Sequence, residues 1–171
     1  MKRHVSKPSG EANRQGRCVY SLEVCLIDGP ITKAFAKRNK VVCRTIEVKG
    51  SQTLSALHNA IFEAFDRDDE HMYEFQFGKG PHDPEGLRYV LPMAMQSPFS
   101  MNEKTAGDVT RTTIRSLGLQ VGQAFWYWFD FGDDWYHQIN VVGIADQVPK
   151  GKYPRITKRI GESPPQYADV D

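Results

Sequence analysis

The stretch Phe125-Trp126-Tyr127-Trp128-Phe129-Asp130-Phe131-Gly132-Asp133-Asp134-Trp135-Tyr136-His137 decides how this chain is read. Two β-rich runs flank a Gly-Asp-Asp centre, and such residues suit the positive φ of tight turns. The stretch therefore predicts a β-hairpin. Either Gly132-Asp133 or Asp133-Asp134 can fill a two-residue connection. The first sets Asp130 opposite Trp135 and Trp128 opposite His137; the second sets Asp130 opposite His137. Both put Trp126, Trp128, Asp130, Trp135 and His137 on one face, because side chains in a strand repeat every two residues. A three-residue turn breaks that arrangement. An aspartate beside an imidazole fixes its tautomer and raises its basicity, as general-base catalysis or metal binding requires. The same pair can also do no more than satisfy a polar bond beneath bulky aromatics. Asp133 and Asp134 sit at the turn, where carboxylates often bond their own backbone.

Outward from the hairpin, the segment 18–27 (CVYSLEVCLI) alternates, with Cys18, Tyr20, Leu22, Val24 and Leu26 on one face. Asp28-Gly29-Pro30 ends this strand. The segment 31–40 is basic and suits a helical turn or an extended arm. The segment 41–49 alternates again but carries Arg44 on its apolar side, which predicts a waiting carboxylate or a sheet edge. The spacing then changes to helical over 53–66, where Leu54, Leu57, Ile61, Ala64 and Phe65 form a stripe behind a Thr53 or Ser51 cap. Strand character returns at 72–78 and near 87–91. The Pro- and Gly-rich remainder of 79–111 predicts an irregular excursion, and 112–118 a short helix or turn. After Gly143 the chain is expected to wrap over the domain as a loop. The expectation is one α+β domain over 18–171, loosely β-grasp-like. Its sheet is mixed, mostly antiparallel and of five or six strands, with one main helix packed across it.

Residues 1–17 hold five cations against Glu11 alone and read as a flexible basic tail. Of the 22 cationic and 21 acidic side chains in all 171 residues, 17 and 20 remain beyond that tail. The balance argues against a dedicated polyanion binder. Local basic character is confined to the tail and to Lys150, Lys152, Arg155, Lys158 and Arg159. No apolar stretch approaches the length of a membrane span, and the N-terminus lacks the apolar region of a secretion signal. Cytoplasmic residence is the expectation. Cys18, Cys25 and Cys43 are odd in number and show no metal or redox spacing; they read as small buried thiols in a reducing compartment. No nucleophile elbow is present, and Phe77-Gly78-Lys79-Gly80-Pro81 does not fit a phosphate-binding loop.

Three blocks of sequence carry a resemblance. The first is Thr53-Leu54 with Leu57-His58, leading to His71 and Glu74-Phe75. The second is Gly122 with Phe125, Tyr127, Asp130-Phe131-Gly132-Asp133-Asp134-Trp135 and His137. The third is Tyr153-Pro154-Arg155 with Gly161 and Pro164-Pro165. Together they resemble the plasmid pRiA4b ORF-3-like family, some members of which are labelled as passenger proteins of insertion elements. The resemblance implies an α+β domain with a mixed sheet and a packed helix, but no chemistry. Tyr73 stands where the family usually has a second histidine, and the cysteines often found near the third block are absent.

Two functional expectations follow. The leading one is a non-catalytic binding or accessory module that holds a protein, peptide or nucleic acid through its aromatic face or its basic tail. The alternative is a metal-assisted hydrolase or nuclease-like enzyme, for which His58, His71, Glu74, Asp133, Asp134 and His137 are the available ligands. The candidate surface comprises His58, His71, Asp130, Asp133, Asp134, Trp135 and His137. The sequence assigns no particular metal or cofactor.

Overall fold

In the computed structural model, residues 17–96 and 105–168 are described. The basic tail, apart from Arg17, lies outside them. The elements are β1 (Val19–Asp28), α1 (Lys33–Arg38), β2 (Cys43–Lys49), α2 (Leu54–Ala64), β3 (Tyr73–Phe77), β4 (Leu87–Val90), α3 (Pro92–Met95), β5 (Thr105–Asp108), a 3-10 turn (Ile114–Leu117), β6 (Ala124–Phe129), β7 (Trp135–Ala145) and β8 (Arg155–Ile160). The strands form one sheet in the order β5-β4-β3-β6-β7-β1-β2-β8. Every neighbouring pair is antiparallel except β4–β5.

This is the α+β architecture expected, but the sheet has eight strands where five or six were anticipated. The two additions, β5 and β8, lie in segments read as irregular. They are edge strands of four and six residues. Only one side of such a strand is paired, so its sequence need not carry the apolar alternation of a central strand.

The core lies on one side of the sheet, beneath α2. Thr53 Oγ1 accepts from the Ala56 amide at 3.2 Å and starts the helix. Leu54, Leu57 and Ile61 then face Leu22, Val24, Ile46, Phe75, Phe125, Tyr127 and Ile139, all fully or almost fully buried. Apolar burial of this kind is the main favourable term in folding.

Arg44 does sit on the apolar side of β2, fully buried, but no carboxylate receives it. Its Nε donates to the Ala64 carbonyl at 2.8 Å, and Nη1 donates to the carbonyls of Cys43 and Ile160, both at 2.8 Å. Nη2 donates to Ser163 Oγ at 3.0 Å. The guanidinium thus meets the carbonyl of the last residue of α2, where the helix dipole is negative. It also lies over the Phe65 ring, 5.1 Å from its centroid.

The cysteines require a correction. Cys25 and Cys43 face each other directly in the β1–β2 register and form a disulfide, with their Cα atoms 4.1 Å apart. Spacing within one strand could not reveal this, because the partners come from different strands. Cys18 keeps its thiol, which is buried and donates to Asp146 Oδ1 at 3.5 Å. The disulfide ties residues 18 apart in sequence, and closing a loop of that size restricts the unfolded chain. Reduction, or Cys43→Ser, is expected to lower stability by about 3 kcal/mol, read as a downward shift of the urea midpoint with and without reductant.

Candidate functional site

The hairpin decides where each candidate side chain goes. Phe129 pairs with Trp135, Trp128 with Tyr136 and Tyr127 with His137. The connection is therefore five residues, 130–134, and not two. Asp130 and Asp134 both take left-handed backbone conformations, with φ of 59° and 57°. Aspartate tolerates that region because its short carboxylate can bond the backbone locally. Asp130 Oδ1 accepts from the amides of Gly132 and Asp133 at 3.1 and 3.2 Å. The Asp134 amide returns to the Asp130 carbonyl at 2.7 Å.

The odd length reverses the expected grouping. Tyr127, Phe129, Trp135 and His137 face the core, while Trp126, Trp128 and Tyr136 face the other side of the sheet. The face shared by all three tryptophans, Asp130 and His137 does not exist. Trp135 is fully buried, and its ring packs so closely on Gly29 that a Cβ there would lie 2.4 Å from Trp135 Cε3.

His137 is fully buried too. Its Nε2 lies 2.9 Å from Arg67 Nη2 and its Nδ1 lies 3.3 Å from the Tyr127 carbonyl. A guanidinium can only donate, so Nε2 accepts and Nδ1 carries the proton. Burial, reinforced by the Arg67 charge, holds this imidazole neutral, well below its ordinary range. An imidazole whose Nε2 is occupied by an arginine offers that nitrogen to neither a metal nor a substrate proton. Asp130 is no direct partner of His137; its Oδ2 lies 3.5 Å from His71 Nε2.

His58 belongs to a second group. It stacks on Tyr73 with centroids 3.7 Å apart. Its Nε2 donates to Glu70 at 2.9 Å, and its Nδ1 accepts from the Tyr127 hydroxyl at 2.7 Å. Desolvation lowers its pKa, although Glu70 pulls the other way. His71 lies in the loop before β3 and meets the Tyr167 hydroxyl at 2.9 Å. Glu74 points to the opposite side of the sheet, buried against Arg88 and Gln76. Among the described residues, no three His, Cys, Asp or Glu side chains converge in a way that could hold a metal ion. The ligand set of the enzymatic alternative is thus dispersed over several neighbourhoods.

The aromatic face expected of the hairpin is instead a partly exposed ledge on the outer side of the sheet, with members the expected grouping did not bring together. Trp128 stacks between Phe131, at 4.1 Å, and Tyr136, at 5.7 Å and only 7° from parallel. His82 meets the Trp128 ring edge-on at 4.6 Å, and its Nε2 bonds the Tyr136 hydroxyl. Trp128 Nε1 donates to Asp134 Oδ1 at 2.9 Å. Phe131 is 37% exposed although it is a large apolar ring. The surroundings are acidic: burial and then the charges of Asp134, Glu74 and Asp28 push the Tyr136 phenol up to about 12. Asp133 is exposed at the same turn. Of the predicted candidates, only Asp133 and Asp134 belong to this surface. His82 came from a segment read as irregular, and its left-handed φ of 56° is set by the loop, not by any periodicity.

With the fold and this geometry in place, the relatives can be placed. The profile of the plasmid pRiA4b ORF-3-like protein family matches residues 34–170. The chain belongs to that family. A solved structure with the same fold is that of MM3350, a protein of unknown function from Methanosarcina mazei Go1. It superposes with a TM-score of 0.64 at 19% identity, covering 85% of this chain and 71% of that one. No curated protein matches the chain in sequence. Among the described residues of this family member, no helix is long and apolar enough to cross a membrane.

Both buried histidines give this family member a pH dependence. Unfolding frees them to bind protons at the ordinary value near 6.5, whereas in the fold their affinity is lower. Depressed folded pKa values mean stability that is complete above about 6.5 and lost as pH falls below it. The urea midpoint is expected to drop between about pH 7 and about pH 5, and the drop should shrink in His137→Gln. A flat profile would show that the imidazoles titrate normally.

Proposed function

We propose that the protein is a non-catalytic binding module whose recognition surface is the ledge of Trp128, Phe131, Tyr136 and His82, and that its partner is a basic protein segment. The observation that carries this reading is the half-buried Trp128, stacked against the exposed Phe131 and held by Asp134 in an acidic setting. Large rings left in contact with water mark interaction sites, and the hydrogen bond to Asp134 fixes the indole before any partner arrives. Lys and Arg favour aromatic faces and are attracted by neighbouring carboxylates. A nucleic-acid strand would also stack on such rings, but its phosphates would meet Asp28, Asp133 and Asp134. A protein ligand therefore fits better than a nucleic acid. The dispersal of the His and Asp candidates supports binding over metal-assisted hydrolysis.

The test is titration of the full chain with Arg- and Lys-containing peptides, followed by calorimetry. Trp128→Ala is expected to weaken binding at least about tenfold, a loss of about 1.4 kcal/mol. Asp134→Asn should weaken it several-fold and more at low salt than at high salt. Because Trp128 is only half-buried, its truncation should cost about 1–2 kcal/mol of stability, against about 3–5 for fully buried Trp135→Ala. Unchanged peptide affinity in Trp128→Ala, or a preference for single-stranded oligonucleotides, would overturn the reading.

A further inference from the structure

The outermost strand, β8, carries a concentration of charge that the ledge on β6 and β7 does not use. One side of its backbone pairs with β2. Among the described residues, the outward amides and carbonyls from Arg155 to Arg159 meet no further backbone partner. An edge left open in this way can accept another strand, with main-chain hydrogen bonds supplying the affinity.

Beside that edge runs a groove of about 660 Å³ between β8 and α2, whose walls include Ala60, Glu63, Lys152, Arg155, Lys158 and Arg159. The stretch 150–160 holds five cations and no acid. Arg155 is answered by Glu47 at 2.6 Å, and Arg159 by the Ala64 carbonyl and by Asp66 at 3.5 Å. Among the described residues neither Lys152 nor Lys158 meets a carboxylate, and both are exposed. Register places charge on both sides of the strand. Arg159 stands opposite Arg44 and Ile156 opposite Ile46, so both face α2, whereas Lys158 stands opposite Thr45 and faces away. The extra residue that makes this possible is Thr157, at the register shift.

We propose that the open edge of β8 takes up an extended, acidic protein segment as an additional strand. Its carboxylates answer Lys152 and Lys158, and an apolar side chain covers Ile156. Charge decides between occupants. A second copy of β8 would set cations against cations, and the N-terminal segment, with five cations against Glu11, is repelled for the same reason. A nucleic acid would satisfy the lysines but not the row of backbone donors and acceptors. Among the described residues, no aromatic ring lines the groove for a base to stack on. The cations thus guard the edge against self-pairing and leave it open to a chain of opposite sign. This site is separate from the ledge and selects the opposite charge.

The probe is a fluorescein-labelled peptide of about eight residues, alternating Glu and Val, titrated into the full chain and followed by anisotropy. Saturable binding is expected, weakening as salt rises. Methylating every amide nitrogen of the peptide keeps its charge but removes its main-chain donors, and should weaken binding at least about tenfold. Lys152→Glu combined with Lys158→Glu should weaken it by a similar factor of about ten. Both lysines are exposed, so the melting temperature of that variant checks that the fold is kept. Amide exchange across 155–159 should slow when the peptide is bound. Equal affinity for the methylated peptide, or in the double variant, would overturn the proposal. So would tighter binding of a single-stranded oligonucleotide, or a dimer of the chain that protects 155–159 without peptide.

Discussion

The parity of the β6–β7 connection constrains everything around it. Five residues between Phe129 and Trp135 force Tyr127, Phe129, Trp135 and His137 to one side of the sheet and Trp126, Trp128 and Tyr136 to the other. An even-numbered turn would exchange the two sets on one strand and bury different rings. The choice is held by Asp130, which accepts two loop amides while adopting a conformation most side chains avoid. One carboxylate therefore governs both what fills the core and what reaches solvent.

The interior this creates is unusually polar for one so aromatic. Arg44, Arg67, His58 and His137 are all nine-tenths buried or more. Their charges and protons are arranged by dipoles and rings more than by ion pairs. Arg44 is received by carbonyls, Arg67 by three aromatic faces and a neutral imidazole, His58 by a phenol and Glu70. Such networks add specificity to a core whose apolar side chains could otherwise repack, and they make loss of any one partner expensive.

Much of the fold was legible in the sequence. The alternation of 18–27 and 41–49 and the stripe Leu54, Leu57, Ile61 located β1, β2 and α2, because buried central elements must display their period. The edges β5 and β8 were not legible, since exposure relieves them of that pattern. The candidate site was legible only in composition. The hairpin is present as expected, but the grouping of its rings and aspartates depended on the parity of the loop length, which no periodicity encodes. Arg67 and His82 escaped notice for a related reason: both lie just outside regular elements, where contacts are made across the fold. The Cys25–Cys43 bond was hidden in the same way, in the register between two separate strands.

Arg44 has a consequence for how the molecule comes apart. Its four hydrogen bonds reach β2, the last turn of α2, the final residue of β8 and Ser163 beyond it. β8 is the most solvent-exposed strand along its length and would by itself fray first. Pinned to a buried guanidinium, its far end cannot peel away without stranding a charge in the interior. Amide exchange near Ile160 should therefore follow the opening of the helix terminus, making the two a single cooperative unit although nearly a hundred residues separate them.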